Sequence, residues 1–188
     1  GDAATPRTPD PALCRMASER WHAWRKSQKT FHIGAWGFHR VKGAEREYAL
    51  YRQAGMTVVW TAPDPGNTPR PDDIDFALTG FDAHKDHTLL RRMVESPTPE
   101  DRCVSVYMLT DEPYVEGFPA VGQAVEFLYR NDRRGAIPII DFRPNWVIPR
   151  PHGTMSETDS LERRGGMHFF GLTYEQYLDR FIEECTPS

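Results

Sequence analysis

Apolar positions recur along this chain in two alternating rhythms, one near helical spacing and one in short continuous runs. Leu13, Ala17, Trp21 and Trp24 lie near helical spacing behind Asp10 and Pro11, which suit the N-cap and first turn of a helix. The two tryptophans are expected to pack that helix onto the body. Residues 31–38 form an apolar run bounded by glycine, read as a first strand entering a loop near Trp36 and His39. Residues 44–54 then place Tyr48, Tyr51 and Ala54 on one side of a helix that Gly55 closes, and a strand over residues 57–60 completes a βαβ unit.

The rhythm continues with interruptions. Pro63, Pro65, Pro69 and Pro71 predict a decorated loop instead of a crossover helix. Residues 74–78 read as a short strand, and Asp86 as the cap of a helix carrying Leu89, Leu90, Met93 and Val94. Residues 103–112 are almost unbroken apolar sequence, polar only at Ser105 and Thr110 before Asp111 and Glu112 end the run. That is the pattern of a strand buried on both faces. Pro113 follows, and pre-proline sterics predict an extended Glu112 at the strand's carboxyl end. Phe118, Val121, Val125 and Leu128 mark the next helix, with Pro119 in its first turn; residues 136–142 form a strand with Pro138 near its start. Residues 149–166 are polar and rich in turn formers, predicting a long exposed loop. A last helix begins at the capping box of Thr173 and Gln176 and carries a stripe of Tyr174, Tyr177, Leu178, Phe181, Ile182 and Cys185.

Five strand-like segments mostly alternating with helices predict an α/β fold of about five βα units around a parallel sheet. Their carboxyl ends share one rim, which would gather Trp36, His39, Trp60, Asp64, Asp82, His84, Asp111, Glu112, Tyr114, Arg143, Asn145 and Trp146. Carboxylates transfer protons, indole and phenol faces suit the C–H surface of a sugar ring, and Arg or Asn can hold its hydroxyls. Phosphate cradles of the GxGxxG or GxxxxGK[ST] type are absent from the sequence.

Composition narrows the partners. With 188 residues, 39% hydrophobic and 27% charged, the chain has an ordinary globular composition, yet it is short for a closed (β/α)8 barrel, which typically takes about 250 residues. A net charge of -4, with Lys and Arg scattered, leaves no electrostatic footprint for nucleic acid, and no apolar run approaches membrane-spanning length. Cys14, Cys103 and Cys185 are too far apart for a disulfide framework or a zinc knuckle, and at most one bridge can form. Residues 1–9, within a leader and helix over residues 1–30, are proline-rich and polar. The start at Gly1-Asp2 without methionine suggests a processed, engineered or cut terminus, compatible with a secreted or periplasmic origin.

The residues at 31–37, the helix through Tyr48 and Ala54 into residues 55–59, the Leu-Thr-Asp-Glu-Pro of residues 109–113 with Phe118 beyond it, and Tyr174-Glu-Gln-Tyr-Leu together resemble TIM-barrel glycoside hydrolases, particularly β-galactosidase-like members of clan A. The resemblance implies that residues 31–188 are the N-terminal part of a (β/α)8 TIM barrel, truncated before the later strands. It further implies that Glu112, ending the fourth strand, is the general acid/base of a retaining hydrolase. Asp111, Trp36, His39, Trp60, Tyr114, Arg143, Asn145 and Trp146 would bind a carbohydrate substrate, with no cofactor and no metal. Asp111-Glu112 stands where many clan members have Asn-Glu. The nucleophile would come from a seventh strand outside this chain, in the C-terminal part of the barrel expected in the full-length protein, so no turnover is expected from these 188 residues alone.

Two other readings compete. Residues 82–87, with Asp82, His84 and His87, resemble the clustered ligands of metallo-β-lactamase-like hydrolases, with His152 and His168 as distant candidates, although a turn capped by Asp86 explains the same residues. A non-catalytic carbohydrate-binding protein could keep the aromatic rim without chemistry.

Overall fold

Asp10 accepts from the backbone N–H groups of Ala12 and Leu13, and Pro11 opens the helix behind it, as the residue types require. The computed structural model describes residues 10–28, 33–36, 44–61, 73–97, 104–113, 115–142, 172 and 174–185. Helix α1 spans Pro11–Ser27, strand β1 Gly34–Trp36, helix α2 Ala44–Gln53, strand β2 Val58–Thr61 and strand β3 Asp75–Leu78. Helix α3 (Thr88–Glu95), strand β4 (Val104–Asp111), a 3-10 turn (Val115–Gly117), helix α4 (Phe118–Asn131), strand β5 (Ile137–Asp141) and helix α5 (Tyr174–Cys185) follow.

Among the described residues, β1 to β5 form one sheet in sequence order, and every neighbouring pair is parallel. The protein is therefore α/β with a parallel sheet. One core joins Val59, Phe76, Leu78, Tyr107 and Leu109 from the strands to buried residues of α2, α3, α4 and α5. The other residues of the same strands, Val58, Ala77, Val106 and Ile137, form a smaller cluster with Trp24, Trp60 and Ile139. Both faces of the sheet are thus apolar. Each fully buried Phe or Leu contributes about 1.5–3 kcal/mol over its exposed state.

Local chemistry explains the elements. Helix α2 ends in a Schellman motif: Gly55, at φ 74°, donates to the Arg52 carbonyl, and Met56 donates to that of Tyr51. A Cβ on Gly34 would stand 2.8 Å from both Trp60 Nε1 and Val58 Cγ1, so only glycine lets β1 lie this close to β2. Asp86 accepts from the N–H and the hydroxyl of Thr88, one residue ahead of the cap position that His87 occupies. Those bonds hold its carboxyl below the usual carboxylate range. Pro138 sits on β5, opposite Tyr107, where the described sheet ends.

Several expectations need correcting. Trp21 does not pack onto the body: it stacks on Trp24 with ring centroids 5.4 Å apart and stays 44% exposed, because only one side of α1 meets the core. Ala54, just past the end of α2, is exposed, and Ile182 is 55% exposed on α5, whose buried side is Tyr177, Phe181 and Cys185. Glu112 is not extended. Its φ of 44° places it in the left-handed region, which turns the chain away from β4 into Pro113 and the 3-10 turn. The buried Cys185 thiol donates to the Phe118 carbonyl. Cys103, the proline-rich loop at 62–72, the polar loop at 149–166 and Thr173 lie outside the described residues.

Candidate functional site

Strand β4 is largely buried, with Tyr107, Met108, Leu109 and Thr110 each at most 3% exposed, and it ends at an exposed Asp111 and a half-buried Glu112. Its pairing with β5 shifts register between Met108 and Thr110, so Leu109 is an extra residue relative to the partner strand. Such a bulge re-aims the side chains after it. Met108 and Thr110, two positions apart on one face of the strand, and Asp111 beyond them line a cleft of about 260 Å³, together with Thr79, Gly80 and Asp82 just past the end of β3. The volume lies just under the roughly 300 Å³ at which ligand pockets usually begin, which suits one small ring.

Two clamps hold the corner after β4. The Glu112 N–H donates to the Asp141 carbonyl at 3.0 Å, carrying the β4–β5 pairing one residue past the strand. The buried Tyr177 hydroxyl on α5 donates to the Pro113 carbonyl, also at 3.0 Å. Asp111 and Asp141 stand opposite each other in register, so three acidic residues occupy adjoining strand ends.

The segment after β3 forms the other wall. Ala83 donates its N–H to the Leu109 carbonyl, Lys85 and Asp86 donate theirs to the Asp82 carbonyl, and Asp82 adopts φ 46°. This turn carries the half-buried His84 to Thr110, with Nδ1 and Oγ1 2.8 Å apart. Burial, with Lys85 alongside, holds the His84 imidazole below its ordinary pKa against an opposing pull from Asp82. Gly117, in the turn before α4, closes the packing: a Cβ there would stand 2.6 Å from His84 Cβ. Lys85 and Asp82 are 3.7 Å apart and both well exposed, a weak surface pair.

Of the residues expected on the rim, the fold brings Asp111, Glu112, Asp82 and His84 to the ends of β3 and β4. Trp60 is half-buried in the smaller cluster, packed over Gly34, and is not part of the cleft wall. His39, Asp64, Tyr114, Arg143, Asn145 and Trp146 lie outside the described residues, as does the Trp36 side chain. His152 and His168 lie outside them too. His84 and His87 turn to different partners, Thr110 and the Ala83 carbonyl, and among the described residues no group of three His, Cys, Asp or Glu could hold a metal ion. Nor is any helix among them long and apolar enough to cross a membrane.

Thr110, Gly117 and Tyr177 shape the candidate site, and sequence reasoning did not single them out for it. Thr110 carried a visible signal, a hydroxyl at the end of an apolar run beside two acids. Tyr177 carried none, since a tyrosine on the buried stripe of a helix reads as core. Comparison with protein-family models, curated proteins and solved structures finds no match for this chain.

Proposed function

We propose that this chain is the N-terminal part of a (β/α)8 barrel and that Glu112 is the general acid/base of a retaining glycoside hydrolase. The attacking carboxylate lies outside the chain. The observation that carries this reading is the placement of Glu112 at the carboxyl end of a central parallel strand, directly after a residue that lines a small cleft. Parallel α/β folds collect their chemistry at that end of the sheet. The sequential strand order, with α2 to α5 sharing one core with one set of strand residues, supports a singly wound barrel over a doubly wound sheet. The left-handed backbone of Glu112 supports a functional role as well, because such strain collects at sites that use it.

In this mechanism Glu112 gives its proton to the glycosidic oxygen as the bond to the anomeric carbon breaks. A carboxylate about 5–5.5 Å away bonds to that carbon. Glu112, now ionised, takes a proton from the water that releases the sugar. Asp111 and Thr110 line the cleft and offer groups for sugar hydroxyls.

The test uses the protein expressed from its whole reading frame. Aryl and alkyl β-galactosides, β-glucosides and β-mannosides should be hydrolysed with retention. Glu112→Gln should lower kcat on alkyl glycosides by about 10²–10⁴-fold. Azide should restore turnover of an aryl substrate with a good leaving group. No hydrolysis across the panel, or a Glu112→Gln variant as fast as wild type, overturns the assignment. Sugar binding that survives Glu112→Gln, with no hydrolysis in any form of the protein, identifies a carbohydrate-binding protein instead. Turnover by the 188-residue chain alone overturns the placement of the nucleophile.

A further inference from the structure

Thr110 combines three properties that do not ordinarily meet. It is 3% exposed, it lines the cleft, and its hydroxyl lies 2.8 Å from a histidine brought in from another segment. A threonine inside an apolar strand is usually satisfied by nearby backbone. Here the partner is His84, delivered by the turn that Ala83 ties to the Leu109 carbonyl and that Gly117 accommodates only because it has no side chain. A hydroxyl has one donor and two acceptor positions, so one bond to an imidazole nitrogen leaves capacity at the cleft wall whichever partner carries the proton. Valine would fill the same volume in this strand without a buried polar group.

We infer that Thr110, oriented by His84, is a ligand contact that hydrogen-bonds one hydroxyl of a sugar ring seated in the cleft between β3 and β4. This rests on the glycoside reading of the site and adds to it a residue that decides which ring hydroxyls are accepted. His84 is a positioning residue, since it acts through Thr110. Asp111, on the same wall, is placed to take a second hydroxyl. A site built to hydrogen-bond a hydroxyl discriminates against a ring that lacks it, because its own buried group is then left unpaired.

The experiment is an NMR titration of the protein expressed from its whole reading frame with methyl β-galactoside, methyl β-glucoside and methyl β-mannoside, followed by the singly deoxygenated analogues of whichever binds. Amide shifts should concentrate at residues 79–82 and 108–112. Thr110→Val should weaken binding about tenfold, Thr110→Ser should recover most of it, and His84→Leu should weaken it several-fold while His84→Asn, which keeps a polar group where Nδ1 stands, does not. One deoxy analogue should bind wild type as weakly as the parent sugar binds Thr110→Val, with no further loss when both changes are combined. That coupling would not arise from a purely structural threonine, and the wild-type series reads it even where a variant folds poorly. Binding that is unchanged in Thr110→Val, or deoxy analogues that all bind like the parent sugar, overturns this inference and leaves the glycoside reading standing. No binding of any of the three sugars by wild type overturns both.

Discussion

The Tyr177 hydroxyl donates to the Pro113 carbonyl across 3.0 Å, tying the last described helix to the corner immediately after Glu112. The phenol is fully buried, with its ring 5.1 Å from that of Phe118 and 6.2 Å from that of Phe142, so the bond has no competing solvent. Helix α5 thereby helps to hold the proposed acid in place from a distance of 65 residues, counting from Glu112 to Tyr177.

Tyr177→Phe should cost about 1–2 kcal/mol of stability, because it leaves a buried carbonyl without this donor while keeping the ring packing. Urea unfolding measures the loss. The amide resonances of Glu112 and Val115 should move with it, and an unchanged spectrum at those positions would show that the clamp does not position the corner.

Glu112 sits at φ 44°, where most side chains are strained and Asn is tolerated best. Glu112→Asn should therefore be at least as stable as wild type, whereas Glu112→Val, branched at Cβ, should lose at least about 1 kcal/mol. Thermal melts of the two variants decide it. Equal melting temperatures would mean that the backbone relaxes without cost.

Burial depresses the pKa of His84, so its neutral form is favoured on folding. Between its folded pKa and the ordinary value of 6.5, the unfolded chain binds more protons than the folded one, and stability rises with pH across that window. The contribution is complete above about pH 6.5 and is lost as pH falls through the folded value. His84→Asn should flatten the pH dependence of the urea midpoint below about pH 6.5. Parallel curves for wild type and variant would assign the dependence to other groups.

A buried ionic knot holds the opposite end of the sheet. Asp132, 3% exposed, accepts from Arg134 Nε at 2.8 Å and from the Ala136 N–H at 3.1 Å, with Arg20 Nη1 3.8 Å away. Arg20 also donates to the carbonyls of Leu128, Tyr129 and Asp132, and Arg134 donates to the Tyr107 hydroxyl. This links α1 to the end of α4 and to β4. Asp132→Ala should destabilise by about 3 kcal/mol, since it leaves two largely buried guanidinium groups without their shared carboxylate. A loss under 1 kcal/mol by urea unfolding would show that the carbonyl bonds suffice.

Local order was legible along the chain wherever a short-range rule applied. Asp10 and Pro11 started α1, Gly55 ended α2, the stripe of Val121, Val125 and Leu128 made α4, and the apolar run ahead of Asp111 and Glu112 made the central strand. Alternation of strand and helix then implied a parallel sheet, because crossover connections of that length lead the chain back in the same direction. Each of these depends on residues a few positions apart, which is the range over which caps and periodicity act. The Leu109 bulge, the left-handed turn at Glu112, the exposure of Trp21, and the meeting of His84 with Thr110 and of Tyr177 with Pro113 were decided only by the tertiary structure. Those depend on how separate elements dock, and a side chain's partner across 26 or 64 residues is set by packing geometry that no local propensity encodes.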